Sequence, residues 1–485
     1  MESTILGSVN AAVSKVLFFD VSFGIFNLVD KEVSVPLMVA LLFFGAIFFT
    51  FYFGFINLRG FTHALRVVAG KYDREDDVGD ISHFRALTSA LSATVGLGNI
   101  AGVAIAIQRG GPGAIFWMVL AAVFGMTAKF SSCTLAQLYR QKNADGSISG
   151  GPMYYLDIGL KERGFGVLGK VLGVIFAIFA IAGCLGGGGM FQVNQTVEAF
   201  SSTFALGEDA DWAIGILMCV MVGAVIFGGI KRIGAATSRI VPFMCGLYVL
   251  ASLYIILANL GEIPQAFSLI FSMAFSDNAM FGGAVGVAVM GIQRAAFSNE
   301  AGLGSAAMAH AAAKTEEPVR EGMVAMLGPC IDTIIICVMT ALVVVMTGAW
   351  NDPQLAAQGA LGVTITTHAF ATVLPWFPYV LTICIGLFAY STMISWCYYG
   401  ERGWIYLFDH LGAGKGLKTV AVFRAIFVVA ILVGAVNSLN DVLDFTDLMI
   451  LSMAFPNILG SLLLVPKVKE HLVDYWGRYK AGAFR

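Results

Sequence analysis

Charge is scarce in this chain. Of its 485 residues only 12% are Asp, Glu, Lys or Arg, while 58% are hydrophobic. A soluble domain carries about a quarter charged residues and roughly half apolar. Such sparse charge excludes a soluble globular protein and points to an integral membrane protein whose first partner is the lipid bilayer. The two signs nearly cancel, 29 Lys and Arg against 31 Asp and Glu, for a net charge of −2. No basic surface for nucleic acid follows from that balance, and no obligate protein partner is suggested.

Paired cysteine motifs are missing as well. Cys133, Cys184, Cys219, Cys245, Cys330, Cys337, Cys384 and Cys397 all fall in or at the ends of apolar runs, none in C-x-x-C spacing. That is the pattern of small buried hydrophobes rather than of disulfides or a metal centre. There is no H-E-x-x-H, no G-x-S-x-G and no signature of paired intramembrane aspartates. Neither an enzyme nor a bound cofactor is therefore expected. The N-terminus lacks a basic region followed by a clean apolar run and a cleavage site, so no cleaved signal peptide is expected.

What the chain does have is long apolar runs. A span needs about 20 apolar residues, and eleven are read: 34–58, 86–107, 113–138, 167–200, 211–229, 238–260, 280–308, 322–348, 373–399, 418–437 and 445–466. The fourth, seventh and ninth are long, which implies tilt, breaks or extensions beyond the bilayer. Lys and Arg concentrate in alternate connections: five in 59–85, four in 139–166, three in 231–239, two in 309–321, three in 400–418 and five in 467–485. The other side carries Lys15, Lys31 and Arg109, with acidic stretches such as 207–211. By the positive-inside rule the N-terminus lies outside and the C-terminus inside. The expected organisation is a single transporter-like domain: an extracellular segment 1–33, a first span, five helices in 86–260, five more in 280–466 and a cytoplasmic tail 467–485.

Two spans are interrupted in matching places. "ALSATVGLGNIAGVAIAI" (90–107) places Gly96, Gly98 and Gly102 beside Thr94 and Asn99. "FSNEAGLGS" (297–305) does the same with Asn299, Glu300, Gly302 and Gly304. Glycine costs about 1 kcal/mol relative to alanine within a helix. With the first span set aside, each interruption lies in the first helix of a set of five, and because five is odd the sets have inverted topology. Paired glycine interruptions in inverted halves are the strongest sequence pointer to a transporter binding site. A break frees carbonyls at one half-helix end and N–H groups at the other. The carbonyls suit a bare cation, the N–H groups a carboxylate. A zwitterion with a metal cation, such as an amino acid with sodium, fits both. A helix-packing face of small residues is the plainer account of one such run. Nucleotide binding is excluded because the G-x-G lies inside an apolar span.

Longer motifs sharpen this. "ALSATVGLGNIAG", "GGPGAIFWMVLAAVFGMTAKF" (110–130), "GGPMYYL" (150–156), "FSNEAGLGSA" (297–306) and "AYSTMISWCYYGE" (389–401) closely resemble the alanine or glycine:cation symporter family, also called sodium:alanine symporters. The resemblance covers nearly the whole chain. It implies an all-α leucine-transporter-like fold and sodium-coupled uptake of alanine and glycine across a prokaryotic plasma membrane by alternating access. The chain departs from the family at Leu97, often threonine, and at Val119, often tryptophan. "TVGLGN" more distantly resembles the first broken helix of the neurotransmitter:sodium symporters. That resemblance implies one sodium held by carbonyls of Ser92, Val95 and Ala389 and the Thr392 hydroxyl. It places a second sodium at the Thr94 carbonyl and Asn99 side chain, and the substrate carboxylate at the N–H groups of Leu97 and Gly98.

Other side chains have two readings each. Gln192, after four glycines, is a substrate contact or interhelical glue, and Asn194 beside it is read as glue. Asn299 binds substrate or caps the second break. Phe297 and Trp396 are packing or a size filter; Trp396 lies four residues after Thr392, on the same helical face. Lys129, Glu198, Arg294, Glu300 and Asp332 are ionisable within spans and hence functional candidates; ion pairing or helix positioning is the plainer account for all but Glu300, which adjoins the break and is a candidate to order it or sense cation occupancy. His310 and His368 are expected at the periphery, and the loop 139–166 is a candidate gate. Two other functions stay open: a proton-coupled permease with Glu300 or Asp332 carrying the proton, and an amino-acid-gated channel or sensor.

Overall fold

A computed structural model describes residues 19–21, 34–74, 76–143, 146–207, 209–276, 283–412 and 414–484. Most of the segment expected outside, 1–33, and the first residues of the seventh span fall beyond these ranges. Among the described residues, nine helices are long and apolar enough to cross a membrane. A shorter apolar helix, Leu37–Tyr52, precedes them. The strands among the described residues are one antiparallel pair, Gln141–Lys142 with Ile148–Ser149.

Both expected interruptions are present. Helix His83–Thr94 stops at Val95, Gly96 is extended (φ −140°, ψ −151°), and Leu97–Gly110 begins at once. The second break starts later than the sequence motif: Phe297 and Asn299 still belong to helix Gly283–Asn299, and Ala306–His310 resumes after a turn. Within that turn Glu300 takes a left-handed φ of 56°, as do Gly302 and Gly304 at 83° and 90°. The long fourth span runs from Gly166 to Phe204 through a π-helical stretch, Cys184–Met190, that contains the four glycines. Their missing side chains admit close neighbours: a methyl on Gly188 would collide with Trp396, and one on Gly187 with Ile450. A second π-helical stretch, Cys330–Cys337, holds Asp332. Such bulges concentrate at functional sites.

Several boundaries move. The first span shortens because Gly54 and Phe55 turn left-handed, with φ of 63° and 56°. The ninth extends to Asp409. The tail is not a loose extension: helix Ala454–Lys480 continues through Pro466 and past the expected membrane boundary.

The basic connections gather at one end of the molecule. Asp80 accepts from the Ile148 backbone at 2.9 Å, and Arg140 donates to the carbonyls of Ala313 and Thr315 at 2.8 and 2.7 Å. Arg402 reaches Ser149 at 3.1 Å, Arg478 grips Glu317 at 2.6 Å, and Gly234 lies against Ile81 and Arg85. Thus all six Lys- and Arg-rich connections share a face, as an alternating topology requires.

At this end His63, on helix Phe61–Val68, is buried among Tyr72, Tyr475 and Tyr479. Its Nε2 meets the Tyr475 hydroxyl at 2.7 Å. Burial, then the positive charges of Arg320 and Arg66, push its pKa down from 6.5 to about 4. The unfolded chain therefore binds the proton first as pH falls. The His63 contribution is complete above pH 6.5 and is lost as pH falls towards about 4. The melting temperature in detergent should drop across that window, and His63→Gln should flatten the drop. An equal slope in the variant would assign the acid sensitivity to other groups.

Candidate functional site

The first break is closed by Asn99 of its own second half and by side chains from two other helices. Gly96 N–H donates to Asn99 Oδ1 at 2.9 Å, so Asn99 caps the half-helix it begins. Leu97 N–H donates to Gln192 Oε1 at 3.3 Å, and Gln192 Nε2 returns to the Gly187 carbonyl at 2.9 Å. Opposite them, helix Phe377–Asp409 holds the last turn of His83–Thr94. Thr392 Oγ1 donates to the Ser92 carbonyl at 2.9 Å, Trp396 Nε1 to the Ala93 carbonyl at 3.1 Å, and Ser92 Oγ to the Ser391 carbonyl at 2.6 Å. A methyl on Gly96 would collide with the Thr392 hydroxyl and stand 3.3 Å from Gln192 Oε1. This glycine is required by close approach. Gly98 is different: a methyl there would rest 3.4 Å from the Phe297 ring, an ordinary contact on the packing face.

The second break has its own partners. Asn299 Oδ1 accepts from Ala301 N–H at 2.9 Å, while its Nδ2 donates to Thr333 Oγ1 at 2.9 Å. Capping thus engages both ends of the Asn299 amide. Lys129 Nζ donates to the Asn299 carbonyl at 3.0 Å, a cation at a half-helix C-terminus where the dipole favours it. Glu300 accepts from the Ser305 hydroxyl at 2.5 Å.

Asp332 joins the two breaks. It accepts from Asn99 Nδ2 at 2.8 Å, Ser298 Oγ at 2.6 Å and Thr333 Oγ1 at 2.8 Å, with its side chain fully buried. Ser298, one residue before Asn299, carries no signal in the sequence beyond its place in the motif. Asp332 stood out only as an ionisable residue in an apolar run.

Ser92, Thr94, Val95, Leu97, Asn99, Gln192, Phe297, Asn299, Ala389, Thr392 and Trp396 are all buried. The structure brings Gly96 and Leu97 to Gln192 and Thr392, Asn99 to Ser298 and Asp332, and Gly98 to Phe297. Thr94 Oγ1 turns back onto the Ala90 carbonyl at 3.2 Å. Phe297 stands edge-on to Phe191, centroids 5.2 Å apart, beneath the Arg294 guanidinium, which pairs with Asp447. Asn194 serves as glue, donating to the Asn437 carbonyl at 2.8 Å, and Glu198 accepts from Thr364 at 3.2 Å. His368 is partly exposed beside Asp352. His310, expected at the periphery, is instead fully buried against Glu321; the connection that carries it is packed between helices rather than solvated.

Oxygen acceptors lie on one side of the first break and N–H donors on the other, within a few side chains of each other. An aromatic ring borders each side. Such a site can take a small ion and a small zwitterion together.

Comparison with known proteins agrees with this architecture. The described model of the sodium:alanine symporter family matches residues 20–484. The chain is 43% identical to the sodium/alanine symporter AgcS of Methanococcus maripaludis over 439 residues, covering 90% of this chain and 94% of that protein. It is 36% identical to GlnT of Bacillus subtilis, a probable sodium/glutamine symporter, over 95% of this chain and 91% of that one. Among solved structures it is similar to MhsT in complex with L-phenylalanine, with a TM-score of 0.50 at 14% identity over 81% of this chain and 99% of that one. The fold is leucine-transporter-like, and the family is one of secondary transporters rather than enzymes. The chain belongs to the sodium:alanine symporter family.

Proposed function

We propose that this chain carries small neutral amino acids, alanine and glycine, into a prokaryotic cell together with sodium, by alternating access across the plasma membrane. One sodium would be held by the carbonyls of Ser92, Val95 and Ala389 and by the Thr392 hydroxyl. A second would sit at the Thr94 carbonyl and the Asn99 side chain, with the Asp332 carboxylate close by. The substrate carboxylate would take the N–H groups of Leu97 and Gly98, with Gln192 yielding the Leu97 N–H it now holds. Phe297 and Trp396 would limit the side chain, and Asn299 would act by fixing the second break. The N-terminus would face outwards.

One observation carries this reading. The Thr392 hydroxyl lies 2.9 Å from the Ser92 carbonyl, beside a glycine that cannot accept a methyl. Oxygens of two helices therefore converge where a bare cation needs them. Sodium bound there would order the break and raise amino-acid affinity, and linkage makes the effect mutual. Each sodium moving inward contributes about 2.3 kcal/mol per 100 mV of membrane potential.

Radiolabelled alanine uptake into proteoliposomes should be concentrative with an inward sodium gradient and absent with potassium or choline. Thr392→Ala should reduce sodium-driven uptake at least about tenfold, the worth of one ion-directed contact. Uptake indifferent to sodium would favour proton coupling. Gly96→Ala should abolish uptake while the protein still inserts and remains monodisperse in detergent; wild-type rates would show that the approach of Thr392 is dispensable. Trp396→Ala should admit leucine relative to alanine, and an unchanged preference would remove the size-filter role.

A further inference from the structure

At the Lys- and Arg-rich end, one carboxylate is shared by two histidines from distant parts of the chain. Glu321 is fully buried in the first turn of helix Pro318–Ala325. His310 Nδ1 lies 2.5 Å from its Oε1, and His83 Nδ1 bonds its Oε2. An ionised carboxylate is acceptor only, so both Nδ1 atoms carry the proton and donate. His83 opens the first half of one broken helix, and His310 ends the last half of the other. Neighbouring backbone is paired as well: Asp80 N–H donates to the Ala312 carbonyl and Lys314 N–H to the Ile81 carbonyl, each at 2.8 Å. Gln137 Nε2 donates to the His310 carbonyl at 2.5 Å. The charged groups around the three are Asp73, 3.9 Å from His83 Nε2, with Arg140 and Arg320.

We propose that Glu321 is a positioning residue for transport: it ties together the cytoplasmic halves of both broken helices through His83 and His310. Release towards the cytoplasm requires those two bonds to part. Neither residue touches the ion or substrate sites above. Beside the backbone pairs, the two half-helices share one buried side-chain acceptor, so its loss acts on both at once. A buried carboxylate that loses its donors is costly. The tie therefore opens as a unit rather than one bond at a time.

The meaning given to release rests on the transporter reading, so the test uses a readout that needs no transport. Hydrogen–deuterium exchange is measured on the full-length protein in lipid nanodiscs without substrate, for wild type and Glu321→Gln, His83→Gln and His310→Gln. Glutamine keeps the size of Glu321 but offers only one acceptor oxygen. In Glu321→Gln, exchange over residues 78–85 and 306–316 should rise about tenfold, as expected for loss of a charge-assisted hydrogen bond. Each histidine variant should show a smaller rise over the same segments, and residues 283–299 should keep wild-type exchange. Apparent KM for external alanine should rise more than Vmax falls, because a smaller fraction of the protein is closed inside. Unchanged exchange over 306–316 in Glu321→Gln, or an equal rise over the whole chain, would overturn the proposal. If that variant fails to accumulate, the two histidine variants decide, since each leaves one bond intact. Local loosening in a protein that moves no amino acid would uphold the tie and reject the substrate.

Discussion

A helix interrupted inside a membrane exposes N–H and C=O groups that no water can reach, and most of the polar chemistry here exists to supply their partners. Gln192, Asn99, Thr392 and Trp396 converge on the backbone of Ser92, Ala93, Gly96 and Leu97. Asn299 and Lys129 do the same around Glu300, whose carboxylate accepts from Ser305. Asn99 and Asn299 come from the broken helices themselves, whereas Gln192, Thr392, Trp396 and Lys129 are polar groups that neighbouring apolar helices bring to the breaks. The cost of breaking two helices thus accounts for polar residues on three others.

That requirement also explains where side chains are absent. Gly96 leaves room for Thr392, and Gly188 leaves room for Trp396. The π-helical stretch Cys184–Met190 brings the fourth span against helix Phe377–Asp409 closely enough for Gln192, two residues later, to reach Leu97. Loss of intrahelical regularity at one place is offset by hydrogen bonds at the next. The polar network is consequently continuous from Gln192 through Asn99 to Asp332 and Ser298.

Much of this was legible in the chain because the breaks are built from residues with strong local meaning. Glycines beside an asparagine in an apolar run mark an interruption wherever they occur, and the alternation of basic connections fixes which ends meet. The partners were harder to read. Asp332 is one ionisable residue in an apolar run, and nothing nearby signals that it faces Asn99 some 233 positions earlier. Asn299 sits in the motif itself, yet its amide is spent on Ala301 and Thr333, a matter of rotamer that a string of letters does not hold. His310 and Glu321 lie in a basic connection, where polar residues normally meet water. Only packing against His83 makes them interior.

The two ends of the molecule are closed by different chemistry, and the difference bears on how the chain moves. At the acidic end Arg294 pairs with Asp447 directly above Phe297, an aromatic that itself rests on the glycine face of the first broken helix. Opening there must shift a ring as well as an ion pair, so it is coupled to the site beneath. At the basic end the tie at Glu321 involves no Phe, Tyr or Trp ring and no residue of the proposed ion or substrate sites. Its opening would be coupled to them through the half-helices His83–Thr94 and Ala306–His310, which run from the basic end to the breaks. An ion at the proposed site, ordering the Ser92–Thr392 contact, would stiffen the joint of the first of these half-helices. On the proposed reading, filling the site and closing the basic end would be one event, reached through the helix rather than through a chain of side chains.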